Sequence, residues 1–238
     1  MAWLVQSFVS SPSGLFFLSS IVDVISSHLA FILEGLPVTL SLTAYGMFLG
    51  FLIGLPLAII RVYGGRPGRL FAAAYERVAR SIPPLVLIFL FYFGMPTTVL
   101  EIPGFFAVML ALGLCSSGYQ SQIFRGALES VGTGQMDAAR SIGMSRLQAI
   151  RLIVVPQALR FALPSWANEL ATMIKDTSLA FVVGVAELMR RTDYIRAATF
   201  DPFIPFLIVA GIYFIIVFPI TRIAGTWGQE KKRLVTGA

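Results

Sequence analysis

Apolar and polar positions fall along this chain in long blocks rather than in short periods. Residues 38–60, 81–100, 102–124 and 202–221 each run without one Asp, Glu, Lys or Arg. About 20 such residues, rising 1.5 Å each as a helix, cross the ~30 Å hydrocarbon core of a bilayer, so each block predicts a transmembrane helix. A fifth candidate, 161–185, is long enough but contains Glu169, Lys175 and Asp176. Charges of this kind are costly against lipid, so this helix is expected to turn them toward protein or water. The pattern therefore predicts an all-α integral membrane protein with five transmembrane helices. Residues 1–35 are apolar but broken by Pro12, Gly14, Asp23 and Glu34, which suits a segment lying along the interface. A short sixth span over 14–25 is the alternative.

Charge orients the blocks. No Lys or Arg precedes Arg61, so the start lacks the basic flank of a signal peptide and the N-terminus is expected outside. Threading five spans from there puts Arg61, Arg66, Arg69, Arg77 and Arg80 on the inner face. Arg125, Arg140, Arg146, Arg151 and Arg160 join them, as do Arg222, Lys231, Lys232 and Arg233 of a basic tail at 226–238. Fourteen of eighteen basic residues thus share one side, as the positive-inside rule requires. Arg190, Arg191 and Arg196 fall opposite, and a short surface helix balanced by Glu187, Asp193 and Asp201 accounts for them.

Composition agrees: 57% of the 238 residues are hydrophobic, 13% are charged and the mean hydropathy is +0.82. The net charge of +6 then reflects topology and contact with anionic lipid, and implies no nucleic-acid partner. The single cysteine, Cys115, excludes an internal disulfide and argues against a metal cluster. One histidine, His28, with no His-Glu-x-x-His or Gly-x-Ser-x-Gly run, argues against an intramembrane hydrolase. No internal repeat or low-complexity linker divides the chain, so 36–225 reads as one membrane domain.

Within the blocks, Gly46, Gly50 and Gly54 put a small residue at every fourth position of one helical stripe, a device for close helix packing. Pro83 and Pro84 open the second span, where missing N–H groups cost least. Residues 95–104, with Glu101, suggest a tight outer turn that makes the second and third spans antiparallel neighbours. Arg80 and Arg125 read as residues of the inner boundary.

The long polar passage "MDAARSIGMSRLQAIRLIVVPQALR", 136–160, breaks this scheme. Asp137 to Ser141 favours a helix, Gly143 ends it, and Ser145 can cap a second helix running toward Val155. Leu147, Ile150 and Val154 are spaced as an apolar stripe, with Arg140, Arg146 and Arg151 around it. This is the anatomy of a protein-docking surface, or else of an amphipathic loop resting on anionic headgroups.

The passage resembles the signature loop of ATP-binding-cassette importer permeases: Glu-Ala-Ala, three residues, Gly, nine residues, Ile, any residue, Leu, Pro. Here it stands as Asp137-Ala138-Ala139, Gly143, Ile153, Val155 and Pro156, with Asp for Glu and Val for Leu. "YERVARSIPPLVLIFLFYFG", "GYQSQIFRGALESVGTGQ" and "LPSWANELATMIKDTSLAFVVGVAELMRR" extend the resemblance over roughly 35–225, toward the polar-amino-acid branch. It implies the importer-type permease fold in a bacterial inner membrane, with amino acid uptake by alternating access. Its implied partners are a pair of ATPase subunits, a second permease subunit (a copy or a homologue) and an extracytoplasmic amino-acid-binding protein. The elbow, with Met144, Ser145, Arg146, Leu147, Ile150 and Pro156 beside the motif residues, would be the coupling helix seated on the ATPase. The chain has no Gly-x-x-x-x-Gly-Lys-Ser/Thr run, so ATP is expected on the partner and no cofactor on this subunit. An ion-driven carrier would have no need of such an elbow, and a structural membrane subunit would show no substrate-dependent ATP hydrolysis when combined with its partners.

Polar residues in the apolar blocks suggest a pathway. Asn168, Thr172 and Lys175 or Asp176 are spaced to share a helical face, with Glu169, Thr177 and Ser178 alongside. A wall of mixed sign suits an amino acid; a Lys175–carboxylate staple between helices is the alternative. Many relatives carry Ala-Glu where this chain has Ser121-Gln122. The third span therefore lacks an acidic group, and the bound side chain is expected not to be cationic.

Overall fold

The computed structural model describes residues 11–94, 102–201 and 203–236, and all regular structure among them is helical. The outer turn expected at 95–104 lies almost wholly outside the described residues. Helix α1, Pro12–Leu33, is followed by α2, Leu36–Tyr63, which starts at Pro37 and stops where the Gly64 N–H bonds the Ile60 carbonyl at 2.9 Å. Next come α3, Arg66–Ser81, and α4, Pro84–Phe93, with Pro83 and Pro84 at the break between them. Helix α3 occupies the basic stretch between the first two apolar blocks. It is amphipathic, with Ala72, Glu76 and Ala79 buried and Leu70, Phe71 and Val78 exposed. Helix α5, Gly104–Ser130, runs past the end expected at Phe124.

Helix α6, Thr133–Ser141, leads into one nearly continuous rod: α7, Arg146–Ala149; a π-helical turn, Ile150–Val154; α8, Val155–Asp176; and a 3-10 stretch, Thr177–Val183. The second elbow helix and the candidate span at 161–185 are therefore one body rather than two elements. The π turn explains why Pro156 does not separate them. Pro156 has no N–H, and its ring would press on the carbonyl one turn back. The wider turn, closed by the Val155 N–H on the Ile150 carbonyl, accommodates both. Helix α9, Leu188–Thr199, and helix α10, Ile204–Thr236, complete the fold.

Three stretches among the described residues are long and apolar enough to cross a membrane: Leu36–Tyr63, Arg146–Val183 and Ile204–Thr226. Helix α5 has 27 residues, but its second half carries Ser116, Ser117, Gln120 and Ser121, all buried in the protein. The described part of the 81–100 block is the ten-residue α4. The segment expected to lie on the interface forms a 22-residue helix, whose Val24 and Ile32 pack with Leu188, Ile195, Ile204 and Val209 of α9 and α10.

The centre is the α2–α5 pair. One core joins Leu42, Met47, Ile88, Leu112, Met173 and Ala180; a second joins Ala58, Phe124, Leu128, Val154 and Ala158. The glycine stripe makes their approach possible. A Cβ on Gly50 would stand 2.4 Å from Gln120 Nε2, and one on Gly54 2.9 Å from the Ser117 carbonyl oxygen.

Candidate functional site

Two places carry the chemistry: the elbow between α5 and α8, and a cavity walled by α5, α8 and α10. At the elbow, α6 ends in a Schellman turn. The Gly143 N–H bonds the Arg140 carbonyl at 3.1 Å and the Met144 N–H bonds the Ala139 carbonyl at 3.2 Å. Gly143 has φ +86°, in the left-handed region, while a Cβ there would meet nothing within 4 Å. Glycine is thus required by backbone conformation and not by space. Ser145 caps α7 as expected and does so reciprocally: its Oγ accepts from the Gln148 N–H at 3.2 Å and its N–H donates to Gln148 Oε1 at 2.8 Å.

The apolar stripe does not form as expected. Leu147 is 74% exposed, but Ile150 (7%) and Val154 (1%) turn into the protein. Ile150, three residues after Leu147, is already turned about 60° from it, and the π turn that follows changes the angular step per residue, so the 3.6-residue spacing no longer holds Val154 on Leu147's face. The exposed apolar groups are instead Ile142, Leu147 and Leu152. Ala138 is exposed, as are Asp137, Arg140, Ser145, Arg146, Arg151 and Pro156; Met144 is half-buried and Ala139 is buried. Arg140 donates to the Met144 carbonyl at 3.0 Å, and the Arg146 guanidinium lies 5.9 Å from the Tyr63 ring centre.

The cavity has a volume of about 530 Å³. Its walls are Tyr119, Gln122 and Ile123 of α5; Pro164, Ser165, Asn168 and Glu169 of α8; and Thr221, Ala224 and Gly225 of α10. Pro164 leaves the Arg160 carbonyl without its intrahelical donor, which marks the wall as irregular. Glu169 Oε1 accepts from Ser116 Oγ at 2.7 Å. Behind it, Gln120, fully buried, accepts from Trp166 Nε1 at 2.8 Å and donates to Ser116 Oγ at 3.0 Å and to the Met47 carbonyl at 3.1 Å.

The expected pathway residues are thus divided. Gln122, Asn168 and Glu169 share this cavity. Lys175 and Ser178 line a separate, mostly apolar space of about 590 Å³ with Phe206, Tyr213, Phe214 and Phe218. Thr221 borders both. Thr172 bonds the Asn168 carbonyl at 3.2 Å, and Thr177, fully buried, bonds the Ile174 carbonyl at 2.7 Å. Asp176 is half-buried and lines neither space. The staple alternative is not built either: Lys175 is exposed and forms no ion pair among the described residues.

Ser121 and Gln122, adjacent in sequence, face opposite ways. Ser121 Oγ donates to the buried Glu76 Oε1 at 2.7 Å, and Arg61 Nε lies 3.7 Å from the other oxygen of Glu76. Arg80 stands 5.0 Å over the Tyr119 ring, and Arg125 pairs with Glu129 at 3.1 Å.

One group was missed by sequence reasoning. Glu187, counted only as a surface counter-charge, is fully buried and caps α9, accepting from the Arg190 N–H at 2.7 Å and the Met189 N–H at 2.8 Å. The Tyr213 hydroxyl also donates to it, at 3.1 Å. Burial raises its pKa to about 7, against the lowering effect of these three donors. The signal was its place just before an amphipathic helix. Of the other expected counter-charges, Asp193 stands between Arg190 at 3.5 Å and Arg196 at 2.8 Å, whereas Asp201 accepts from the Phe203 and Ile204 N–H groups and Arg191 pairs with Glu34.

Residues 46–229 match the family described as "Binding-protein-dependent transport system inner membrane component". The chain belongs to this family. The chain is 36% identical over 202 residues to the nopaline transport system permease protein NocM of Agrobacterium fabrum, covering 81% of this chain and 84% of that one. It is 32% identical over 197 residues to the arginine transport system permease protein ArtQ of Bacillus subtilis, covering 82% and 90%. Among solved structures it is similar to an amino acid ABC transporter crystallised with histidines, with a TM-score of 0.76 and 33% identity over 87% of this chain and 96% of that one. The inward-facing MetNI methionine ABC transporter shares the fold, with a TM-score of 0.69 at 20% identity over 84% and 97%. The chain is thus a permease subunit of an ATP-binding-cassette importer with the importer-type permease fold. ATP hydrolysis belongs to a separate subunit.

Proposed function

We propose that this permease carries an amino acid through the cavity between α5, α8 and α10, with Glu169 receiving the substrate's ammonium group. The observation that carries this reading is a carboxylate held at one oxygen inside a cavity that also presents the amides of Gln122 and Asn168 and the hydroxyls of Tyr119, Ser165 and Thr221 among apolar walls. The names of the similar permeases and the solved amino acid transporter support the substrate class. Gln122 sets a neutral amide in that cavity, and with it we assign a substrate whose side chain is uncharged.

In this reading the chain crosses a bacterial inner membrane five times within 36–225, with the N-terminus outside and the 226–238 tail in the cytoplasm. Residues 1–35 form an accessory N-terminal element. The elbow residues Asp137, Ala138, Ala139, Gly143 to Leu147, Ile150 and Pro156 couple it to a pair of ATPase subunits, with Leu147 as the apolar contact and Ile150 as internal support. A second permease completes the pathway and an extracytoplasmic protein delivers the substrate. The test is uptake of the twenty L-amino acids by proteoliposomes holding the complete transporter. Uptake of a neutral amino acid, lost in Glu169→Gln, is the expected result. Stronger competition by arginine or lysine than by neutral amino acids would overturn the side-chain assignment. Unchanged uptake by Glu169→Gln would overturn the site.

A further inference from the structure

The hydrogen bonds behind Glu169 can run in only one direction. An indole N–H donates and never accepts, so Trp166 Nε1 fixes which end of the Gln120 amide is its oxygen. The Gln120 nitrogen then faces the Met47 carbonyl and Ser116 Oγ. The carbonyl can only accept, which holds the amide in the same sense from its other end. Ser116 Oγ therefore accepts a hydrogen bond from Gln120, and its own O–H donates to Glu169 Oε1, 2.7 Å away. The seat for this chain is made by α2, since any Cβ at Gly50 would stand 2.4 Å from the Gln120 nitrogen. Gln120 is fully buried and Ser116 is 2% exposed, so water does not compete for the arrangement.

We propose that Trp166, Gln120 and Ser116 are positioning residues that hold Glu169 as a hydrogen-bond acceptor, aiming its second oxygen into the cavity to select ligands with a cationic N–H donor. None of the three lines the cavity; Glu169 does. Their effect on a ligand passes through the carboxylate, whose rotation about its last bond is restricted by the Ser116 hydroxyl. A ligand with an ammonium group gains from that restriction, whereas the same molecule without its amino group does not. The inference rests on the proposed role of Glu169, and its test separates the two.

The experiment uses the purified permease–ATPase complex and the amino acid found by the uptake panel, radiolabelled. Equilibrium binding is displaced either by the same amino acid or by its deaminated carboxylic acid. Trp166→Phe keeps an aromatic ring and removes the N–H donor, leaving the Gln120 amide anchored at its nitrogen end alone; Ser116→Ala removes the hydroxyl that touches Glu169. Each is expected to weaken the amino acid about tenfold, the size of one hydrogen bond to a charged group, while leaving the deaminated acid unchanged. The preference for the amino acid then falls about tenfold. Equal weakening of both ligands, or unchanged binding of both, in a complex that assembles normally would overturn the positioning role. Glu169→Gln separates the readings. If it abolishes the preference while Trp166→Phe and Ser116→Ala keep it, the positioning inference fails alone. If it too leaves the preference intact, the assignment of Glu169 fails and takes the inference with it, as would an uptake panel in which no amino acid is carried.

Discussion

Gly143 is where a small change in the chain should separate folding from coupling. Its φ of +86° lies in the left-handed region, and nothing stands within 4 Å of where a Cβ would be. Gly143→Ala therefore meets no clash, and its cost is conformational, about 1–2 kcal/mol for a residue with a Cβ in that region. An energy of this size changes the population of the ordered elbow by a factor of roughly 5–30. Gly143→Asn should be milder, because asparagine tolerates the left-handed region. Gly143→Pro differs in kind. Proline holds φ near −65°, about 150° from the native value, and removes the N–H that bonds the Arg140 carbonyl. The Schellman turn cannot form, and α6 loses its fixed angle to α7. Gly143 lies outside the three long apolar stretches, so membrane insertion should survive. The assay is ATP-driven uptake in proteoliposomes, divided by the amount of inserted permease. Expected is a graded series: Asn near the native rate, Ala reduced several-fold, Pro without coupled uptake. Native uptake by the proline variant, or equal uptake by all three, would refute the claim that this turn transmits the coupling.

Other outcomes follow from the same geometry. Gly50→Ala should lower the thermal midpoint of the purified complex by overpacking against Gln120, a cost of roughly 1–3 kcal/mol. Gly126→Ala, within α5 with nothing near its Cβ position, should be neutral or stabilising. Leu147→Asp, at a side chain 74% exposed, should leave stability unchanged and abolish co-purification of the ATPase; Ile150→Asp, at 7%, should destabilise the permease itself. Glu187 should make stability depend on pH. With its folded pKa raised to about 7, its contribution is complete below its unfolded value near 4.5 and is lost as pH rises through 7. At roughly 1.4 kcal/mol per unit the loss is bounded near 3 kcal/mol. Melting curves between pH 5 and 8.5 should therefore fall at the alkaline end, and Glu187→Gln should flatten them.

Much of this was legible in the chain. Uninterrupted apolar runs locate α2, α5 and α10, since a bilayer leaves few alternatives for such blocks. Gly143 and Ser145 mark the elbow because each has a local backbone role that does not depend on the rest of the fold. Orientation about a helix axis was less accessible. Ser121 and Gln122 look alike in sequence, yet a step of about 100° sends one to Glu76 and the other to the cavity. Val154 left the expected stripe because a π turn intervened, which no propensity announces. The Gln120 network was invisible for a further reason: it depends on Gly50, Ser116 and Trp166 meeting from three helices, and only packing brings them together.

The rod from Arg146 to Val183 carries Leu147 and Glu169 on a single helical body, about 33 Å apart along its axis. In the proposed assembly these are the contact with the ATPase and the contact with the substrate. Any nucleotide-dependent shift of the rod that alters the cavity's affinity for its ligand must, by thermodynamic linkage, be matched by an equal factor in the ATPase's affinity for nucleotide when the ligand binds. An occupied cavity would then report itself to the nucleotide site as a change in nucleotide affinity, without a separate messenger, to the extent that the rod stays stiff.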